Sequence, residues 1–306
     1  MGSFQQMPLV SVIVNCHNSR KYLRQALDSV YQQTFQDYEI VFWDNQSSDF
    51  SSEIALSYGE PLRYFRGDTF LSLGAARNAA IEKARGEYIA FLDCDDIWLP
   101  DKLEQQVGLL DSNERPGLVY SDCYLIDGDG NLRKNTYFDS YRPCRGYVFN
   151  ELLLNDFVPL LTAVIRKEVL NEVGVFNPSY EIAEEYDLWL RIARHYHFDY
   201  YERPLAKYRI HDGSISSAKQ AEMFGEVFQI LEYWMSQPSV VSGELRRKLK
   251  QRNAFLHTAL MLHYFKNHEN RKGIRESLSV AGAFPYNLVE TPRVLAGMAR
   301  TLLHSR

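Results

Sequence analysis

Hydrophobic positions along the first hundred residues alternate between two periods. Residues 9–14 form a continuous β-branched apolar run, Tyr22, Leu23, Ala26, Leu27, Val30 and Tyr31 recur at the helical period, and residues 38–43 return to strand character. A polar turn over 46–49 follows, then a short strand over 62–65, a helix from about 74 to 85 and a strand over 88–92. Continuous apolar strands alternating with helices predict a mostly parallel sheet covered on both faces. Ligands of such sheets gather beyond the carboxyl ends of the strands, and Asn15, Asp44 and Asp93 all fall there.

After Pro100 the pattern predicts a helix over 101–110, a strand over 118–121 and a tight hairpin turn at the DGDGN segment, 127–131. A calcium loop does not fit DGDGN, because Leu132 stands where such a loop needs glycine and Phe138 where it needs a carboxylate. Further strands are predicted over 160–165 and 205–210, with an amphipathic helix over 185–194 between them. From about Ala218 strand signals stop, and helical spacing of Phe255, Ala259 and Leu262, then of Leu295, Met298 and Leu302, predicts a helical appendage. No internal repeat is visible.

With 306 residues, 45% of them apolar, the chain has material for one large domain with an appendage. No run approaches the length of a membrane-spanning helix, and the start MGSFQQMP has neither the basic end nor the apolar core of a signal peptide or anchor. A net charge of -5 gives no general attraction to polyanions, so nucleic acid is not an expected partner. Cys16, Cys94, Cys123 and Cys144 are scattered without zinc-site spacing, which fits a reducing cytoplasm.

The segment FLDCDD places Asp93, Asp95 and Asp96 directly behind an apolar strand. Burial and like-charge repulsion both oppose ionisation of such a set unless a cation compensates, and a divalent metal is the simplest compensator. A short carboxylate set supplies only part of an Mg²⁺ or Mn²⁺ shell, leaving the rest to water and substrate phosphate oxygens, which points to a phosphate-bearing donor. Asp95 is the expected direct ligand, with Asp93 nearer the nucleotide or sugar. The competing reading is a capped loop, with Asp96 as N-cap for the turn IWLP.

A second acid set, Glu184 and Glu185 in IAEEYDLWLR, opens a helix. Its carboxylates either complement the helix dipole or supply a general base in a partly desolvated site. Asp187 and Arg191 stand four apart, at the spacing of a helix-surface pair. Arg77, beside Asn78, is placed to stabilise a nucleotide phosphate or to form a salt bridge. Asp44 is placed to accept from a base or ribose, or to form a turn. His211, in YRIHDGSIS, is a candidate third metal ligand or phosphate contact.

In order along the chain, VSVIVNCHN, WDNQSSD, GAARNAAIEKARGEYIAFLDCDD, AEEYDLWLR and YRIHDGSIS resemble the family 2 glycosyltransferases, inverting enzymes of the GT-A fold that take a sugar from a nucleotide diphosphate. The resemblance covers roughly the first two-thirds of the chain. It implies a Rossmann-like GT-A domain over 1–217 that binds the nucleotide sugar and a helical region over 218–306. It further implies that Asn15, His17 and Asp44 lie at the nucleotide and that Arg77 helps hold it. Asp93, Asp95 and Asp96 would carry ribose, sugar and metal contacts. The family's base is the aspartate of a Glu-Asp pair, matched here by Glu184 and Glu185, so the base is one methylene longer. The opening motif also departs, with Asn15, Cys16 and His17 where the family often has Pro, Thr and Tyr.

The implied reaction is a single displacement of a UDP-sugar's diphosphate by a saccharide or lipid-linked saccharide hydroxyl, with Mn²⁺ or Mg²⁺ as cofactor, in cell-surface polysaccharide or glycoconjugate synthesis. Two alternatives stand beside it. Asp93 and Asp95 after an apolar strand also resemble the aspartyl motif of haloacid-dehalogenase-type phosphatases, although Ile97 replaces the usual Thr or Val. A non-catalytic nucleotide-sugar-binding partner protein is the other. The basic stretch at 245–252 and the later Arg293, Arg300 and Arg306 are open to two readings, a solvated helix face or peripheral contact with an anionic membrane at its inner face.

Overall fold

The computed structural model describes residues 7–112 and 115–282, and at 216, 217, 281 and 282 the backbone alone. They fall into two compact units divided between Ser217 and Ala218. The first opens with β1 (Val10–Cys16), α1 (Leu23–Tyr31), β2 (Tyr38–Asp44), α2 (Ser51–Leu56), β3 (Leu62–Arg66), α3 (Leu73–Lys83) and β4 (Tyr88–Phe91). It continues with β5 (Ile97–Trp98), α4 (Lys102–Leu110), β6 (Leu118–Ile126), β7 (Leu132–Thr136) and α5 (Phe149–Leu154). A 3-10 turn (Leu160–Thr162) leads into β8 (Val164–Arg166), α6 (Lys167–Val173), α7 (Glu184–Ala193) and β9 (Phe198–Arg209). A short α8 (Ile215–Ala218) ends this part of the chain.

One sheet carries all nine strands, in the order β3-β2-β1-β4-β8-β6-β9-β5, with β7 on β6. The βαβ opening makes β3, β2, β1 and β4 parallel, as the sequence pattern predicts. From β8 onward the pairing is mixed: β8 runs antiparallel to both β4 and β6, while β6 and β9 are parallel. The single strand expected over 160–165 is divided. Pro159 fixes an extended backbone, Thr162 returns both its N–H and its hydroxyl to the Pro159 carbonyl, at 2.9 Å and 2.8 Å, and the turn so closed delays strand pairing until Val164. The last strand starts at Phe198 rather than 205, its first half being a polar-aromatic run (DYYER) that hydrophobic periodicity does not mark.

Alternation along β1 explains how the sheet buries both faces. Val10, Val12 and Val14 join Leu23, Ala26, Leu27 and Val30 of α1 and Leu103, Val107 and Leu110 of α4 in one apolar cluster. Ile13, Val41 and Phe91, on the opposite face, are equally buried, and Phe91 meets Phe176 edge to face at 5.4 Å. The DGDGN turn forms as expected. Asp127 Oδ1 accepts from the N–H groups of Asp129 and Asn131, each at 2.9 Å, so that carboxylate serves the turn.

The second unit contains α9 (Gln220–Met235), α10 (Gly243–Lys266) and α11 (Asn270–Gly282). The residues that mark α10 in the sequence, Phe255 and Leu262, are exposed, whereas its buried side is Leu249, Ala254, Thr258, Met261 and Phe265. The expected helix around Leu295, Met298 and Leu302 and the cations Arg293, Arg300 and Arg306 lie outside the described residues. Among the described residues, no helix is long and apolar enough to cross a membrane.

Two glycines give a test of packing in the first unit. A Cβ at Gly86 would lie 2.6 Å from the Ser11 backbone nitrogen and 2.8 Å from the Val10 carbonyl carbon, whereas one at Gly108 meets nothing within 4 Å. Gly86→Ala is expected to destabilise by about 1–3 kcal/mol, as overpacking against backbone does. Gly108→Ala, in the exposed interior of α4, is expected to stabilise by about 0.8–1 kcal/mol. Urea midpoints of the two variants check both signs.

Candidate active site

A cleft of about 970 Å³ opens at the carboxyl ends of β1 and β4 and is also lined by α3, α7 and the residues after β9. Asn15, His17, Arg77, Asp93, Asp95, Glu184, Glu185 and His211 all line it. Of the expected site residues, Asp44 and Asp96 are not among its lining.

Arg77 is the centre of the arrangement. α3 places it with 4% of its side chain exposed, where Nη2 donates to Asp93 Oδ1 at 2.9 Å and Nη1 to Glu184 Oε1. Burial opposes its charge, but the Asp93, Glu184 and Glu185 carboxylates outweigh that and raise its pKa. Asn78, the next residue of α3, exchanges two hydrogen bonds with the Phe176 backbone at 2.8 Å and 3.0 Å, anchoring the loop that enters α7. One turn of helix therefore holds both the acidic loop after β4 and the first turn of α7.

Glu184 is buried by this contact, while Glu185 is half-buried at the cleft. Desolvation first, then the Glu184 carboxylate, push the Glu185 pKa well above the ordinary range, against the pull of Arg77. Asp156, a cleft residue that the sequence patterns do not single out, adds to that rise. Asp187 pairs with Arg191 at 2.9 Å, as the four-residue spacing suggests, and Arg191 Nη1 and Nη2 also bind the carbonyls of Val173 and Val175.

In the acidic loop the three aspartates take three different positions. Asp95 Oδ2 lies 3.0 Å from His211 Nε2, and burial together with Asp93 raises its pKa. Asp93, expected to join Asp95 as a metal ligand, gives Oδ1 to Arg77 Nη2 at 2.9 Å. Asp96 is 1% exposed and accepts the Arg209 N–H at 2.8 Å through Oδ1; burial and its two neighbours raise its pKa well above the usual range. It is not the cap of a helix, because α4 begins only at Lys102.

Asp44 is fully buried and its oxygens are engaged: Oδ2 accepts from Tyr64 Oη and Arg66 Nη1, each at 2.6 Å, and Oδ1 from the Ser47 N–H at 2.7 Å. The last of these is the Asp turn that competes with base recognition in the sequence. His17 Nδ1 lies 2.9 Å from the Asn45 carbonyl, and its ring meets the exposed Phe70 edge-on at 4.8 Å. Both amide atoms of Asn15 are buried without a hydrogen-bond partner. Cys16 and Cys94 also line the cleft, and the Cys94 thiol lowers Cys16 to about 7.

Among the described residues, no three His, Cys, Asp or Glu side chains are grouped for a metal. Asp95 and His211 nevertheless suit a hard divalent cation, being an oxygen and a nitrogen donor already in contact, with Asp93 two residues away in the same loop. A carboxylate whose burial opposes its charge is stabilised by such a cation.

Residues 11–174 match the description Glycosyl transferase family 2. The chain belongs to that family. An uncharacterized glycosyltransferase of Rickettsia felis is 35% identical over 210 residues, 67% of this chain, and this chain spans 34% of that protein's length. The Escherichia coli UDP-Glc:alpha-D-GlcNAc-diphosphoundecaprenol beta-1,3-glucosyltransferase WfgD is 29% identical over 218 residues, 70% of this chain and 82% of its own. The architecture is that of GT-A glycosyltransferases. Staphylococcus aureus TarS 1-349 in complex with UDP-GlcNAc superposes with a TM-score of 0.63 at 19% identity, covering 95% of this chain and 80% of TarS 1-349. The Pyrobaculum calidifontis mannosyltransferase PcManGT in complex with GDP-Man and Mn²⁺ gives 0.63 at 18%, covering 99% and 89%. Membership of the family removes the phosphatase alternative.

The Arg77 bridge is expected to be indispensable to this half of the cleft. Arg77→Met leaves Glu184 buried without its cation and should destabilise by about 3–5 kcal/mol. Adding Glu184→Gln, which removes the stranded charge, should recover most of that loss in chemical denaturation.

Proposed function

We propose that the chain is an inverting glycosyltransferase that moves a sugar from a UDP-sugar donor to the hydroxyl of a saccharide or lipid-linked saccharide, in cell-surface polysaccharide or glycoconjugate synthesis. The observation that carries this reading is the placing of Glu185 and the Asp95–His211 pair on one cleft, with Arg77 between the two acidic segments. Family membership and the nucleotide sugars bound by TarS and PcManGT support the donor class. The diphosphoundecaprenol acceptor in the name of WfgD supports a lipid-linked acceptor.

Glu185 is the base. Partly desolvated and raised in pKa, it takes the proton of the acceptor hydroxyl at the face of the sugar opposite the nucleotide. Glu184, tied to Arg77, orients its neighbour and stays out of proton transfer. Asp93 and Arg77 are assigned to the ribose and diphosphate side, Asn15 and His17 to the base. Asp44, by exchanging Tyr64 or Arg66 for the base, would join them, and Asp96 supports the loop from beneath. Mn²⁺ or Mg²⁺, held by Asp95 and His211 beside Asp93, would offset the charge that accumulates on the departing diphosphate.

A peripheral place at the inner membrane face is part of the proposal. The first 217 residues carry 21 Lys and Arg against 32 Asp and Glu, whereas the remaining 89 carry 13 against 7. On α11, exposed Ile274 and Leu278 alternate with exposed Arg271 and Arg275, an apolar stripe flanked by cations. The full chain should float with vesicles containing phosphatidylglycerol and be released by salt. Failure to float would remove the membrane contact while leaving the transfer reaction standing.

Asp95→Asn should abolish Mn²⁺-dependent transfer from a UDP-sugar with the fold intact by circular dichroism; near-normal turnover would refute the assignment. Glu185→Gln should lower turnover by about 10²–10⁴-fold yet bind donor normally by calorimetry.

The sign of the pH effect follows from the raised Glu185 pKa. A carboxyl more protonated in the folded chain than in the unfolded one contributes stability at low pH that is lost as pH rises through its folded-state value. Glu185→Gln should therefore leave acid stability unchanged and raise the melting temperature at neutral pH. In the parent, transfer activity should rise with pH along a limb lying above the ordinary glutamate range.

A further inference from the structure

Arg209 closes β9 two residues before His211, and it is 2% exposed. Its partners come from three other segments. The backbone N–H donates to Asp96 Oδ1 at 2.8 Å and Nε to the Asp95 carbonyl at 2.7 Å. Nη1 donates to the Asp127 carbonyl at 3.2 Å, and Nη2 to Gln25 Oε1 at 2.9 Å. The guanidinium lies 4.3 Å from the centroid of the Tyr22 ring, which in turn sits 5.2 Å from the His211 ring and donates its hydroxyl to the Gly128 carbonyl at 3.0 Å. One planar group thus joins the acidic loop, the turn between β6 and β7, α1 and the end of β9.

The choice of acceptors matters as much as their number. Arg209 binds the backbone carbonyl of Asp95 and leaves that residue's carboxylate to His211 and the cleft. Its cation stands behind the acidic loop without consuming the oxygens that face a ligand. Because the fork of guanidinium donors is rigid and planar, the loop and the strand end cannot move independently while all these bonds persist, whereas a lysine ammonium is a single point of donation on a flexible stem.

We propose that Arg209 is a positioning residue that presets the approach of Asp95 to His211, and with it the affinity of the cleft for a divalent cation and the diphosphate that cation binds. The inference rests on the cation reading given under the proposed function. A buried arginine serving only to hold the fold together would alter stability and leave cation affinity in the folded protein unchanged.

The test is Mn²⁺ binding to the full chain in the presence of UDP, followed by electron paramagnetic resonance, with UDP-sugar kinetics alongside. Arg209→Lys keeps the charge and loses the fork, and it should weaken Mn²⁺ binding by about 10- to 100-fold, raise the donor KM and change kcat much less. Gln25→Ala removes one acceptor on the exposed side of α1, where folding is not at risk. It should weaken Mn²⁺ binding by about threefold, the worth of one hydrogen bond, and lower the melting temperature by no more than a few degrees. Parental Mn²⁺ affinity in folded Arg209→Lys overturns the proposal. If that variant does not fold, parental affinity in Gln25→Ala overturns it instead. Absence of Mn²⁺ binding by the parent protein would overturn the cation reading and the inference with it.

Discussion

Five carboxylates, Asp93, Asp95, Asp96, Glu184 and Glu185, lie at one end of a sheet whose central strands β1, β2 and β4 are buried on both faces, and two buried arginines stand among them. Arg77 takes Asp93 and Glu184 from within the cleft; Arg209 takes Asp96 and the Asp95 backbone from behind it. Asp95, Asp96 and Glu185 are the members whose carboxylates neither guanidinium engages in an ion pair. Their pKa values are raised, first by burial and then by neighbouring acids. Of these three, Asp95 and Glu185 line the cleft, and they are the two groups proposed for the cation and for the acceptor proton.

The division of labour among the other acids follows from geometry. Asp44 is saturated by Tyr64, Arg66 and Ser47, so a ligand that reaches it must displace one of them. Asp127 is spent on its own turn and Asp187 on Arg191. These three acids serve the fold.

How much of this was legible in the sequence varied with the physical signal. β1, β2 and β4 are continuous apolar runs buried on both faces, so their strands and their shared carboxyl edge followed from hydrophobicity alone. β5 and β7 were not marked, one being two residues long and the other exposed and polar along nearly its whole length. Asp93, Asp95 and His211 stand at strand ends within recognisable motifs, whereas the bond from Asp93 to Arg77 depends on where α3 sets that guanidinium beside the loop after β4. Arg209 carries a weaker signal, a charged residue inside an apolar strand pattern, where such a side chain must find partners. Asp156 carries no local signal, since its influence on Glu185 arises only when the loop before Val158 folds over the cleft.

Asp95 and His211 are proposed to hold a divalent cation at the mouth of β4. Crystals grown with Mn²⁺ and a non-transferable UDP-sugar, measured at a wavelength where manganese scatters anomalously, would locate the ion directly. A manganese peak at coordination distance, about 2.0–2.6 Å, from Asp95 and His211 is the expected result. Nucleotide bound in the cleft with the manganese peak elsewhere, and the Asp95–His211 contact undisturbed, would contradict it.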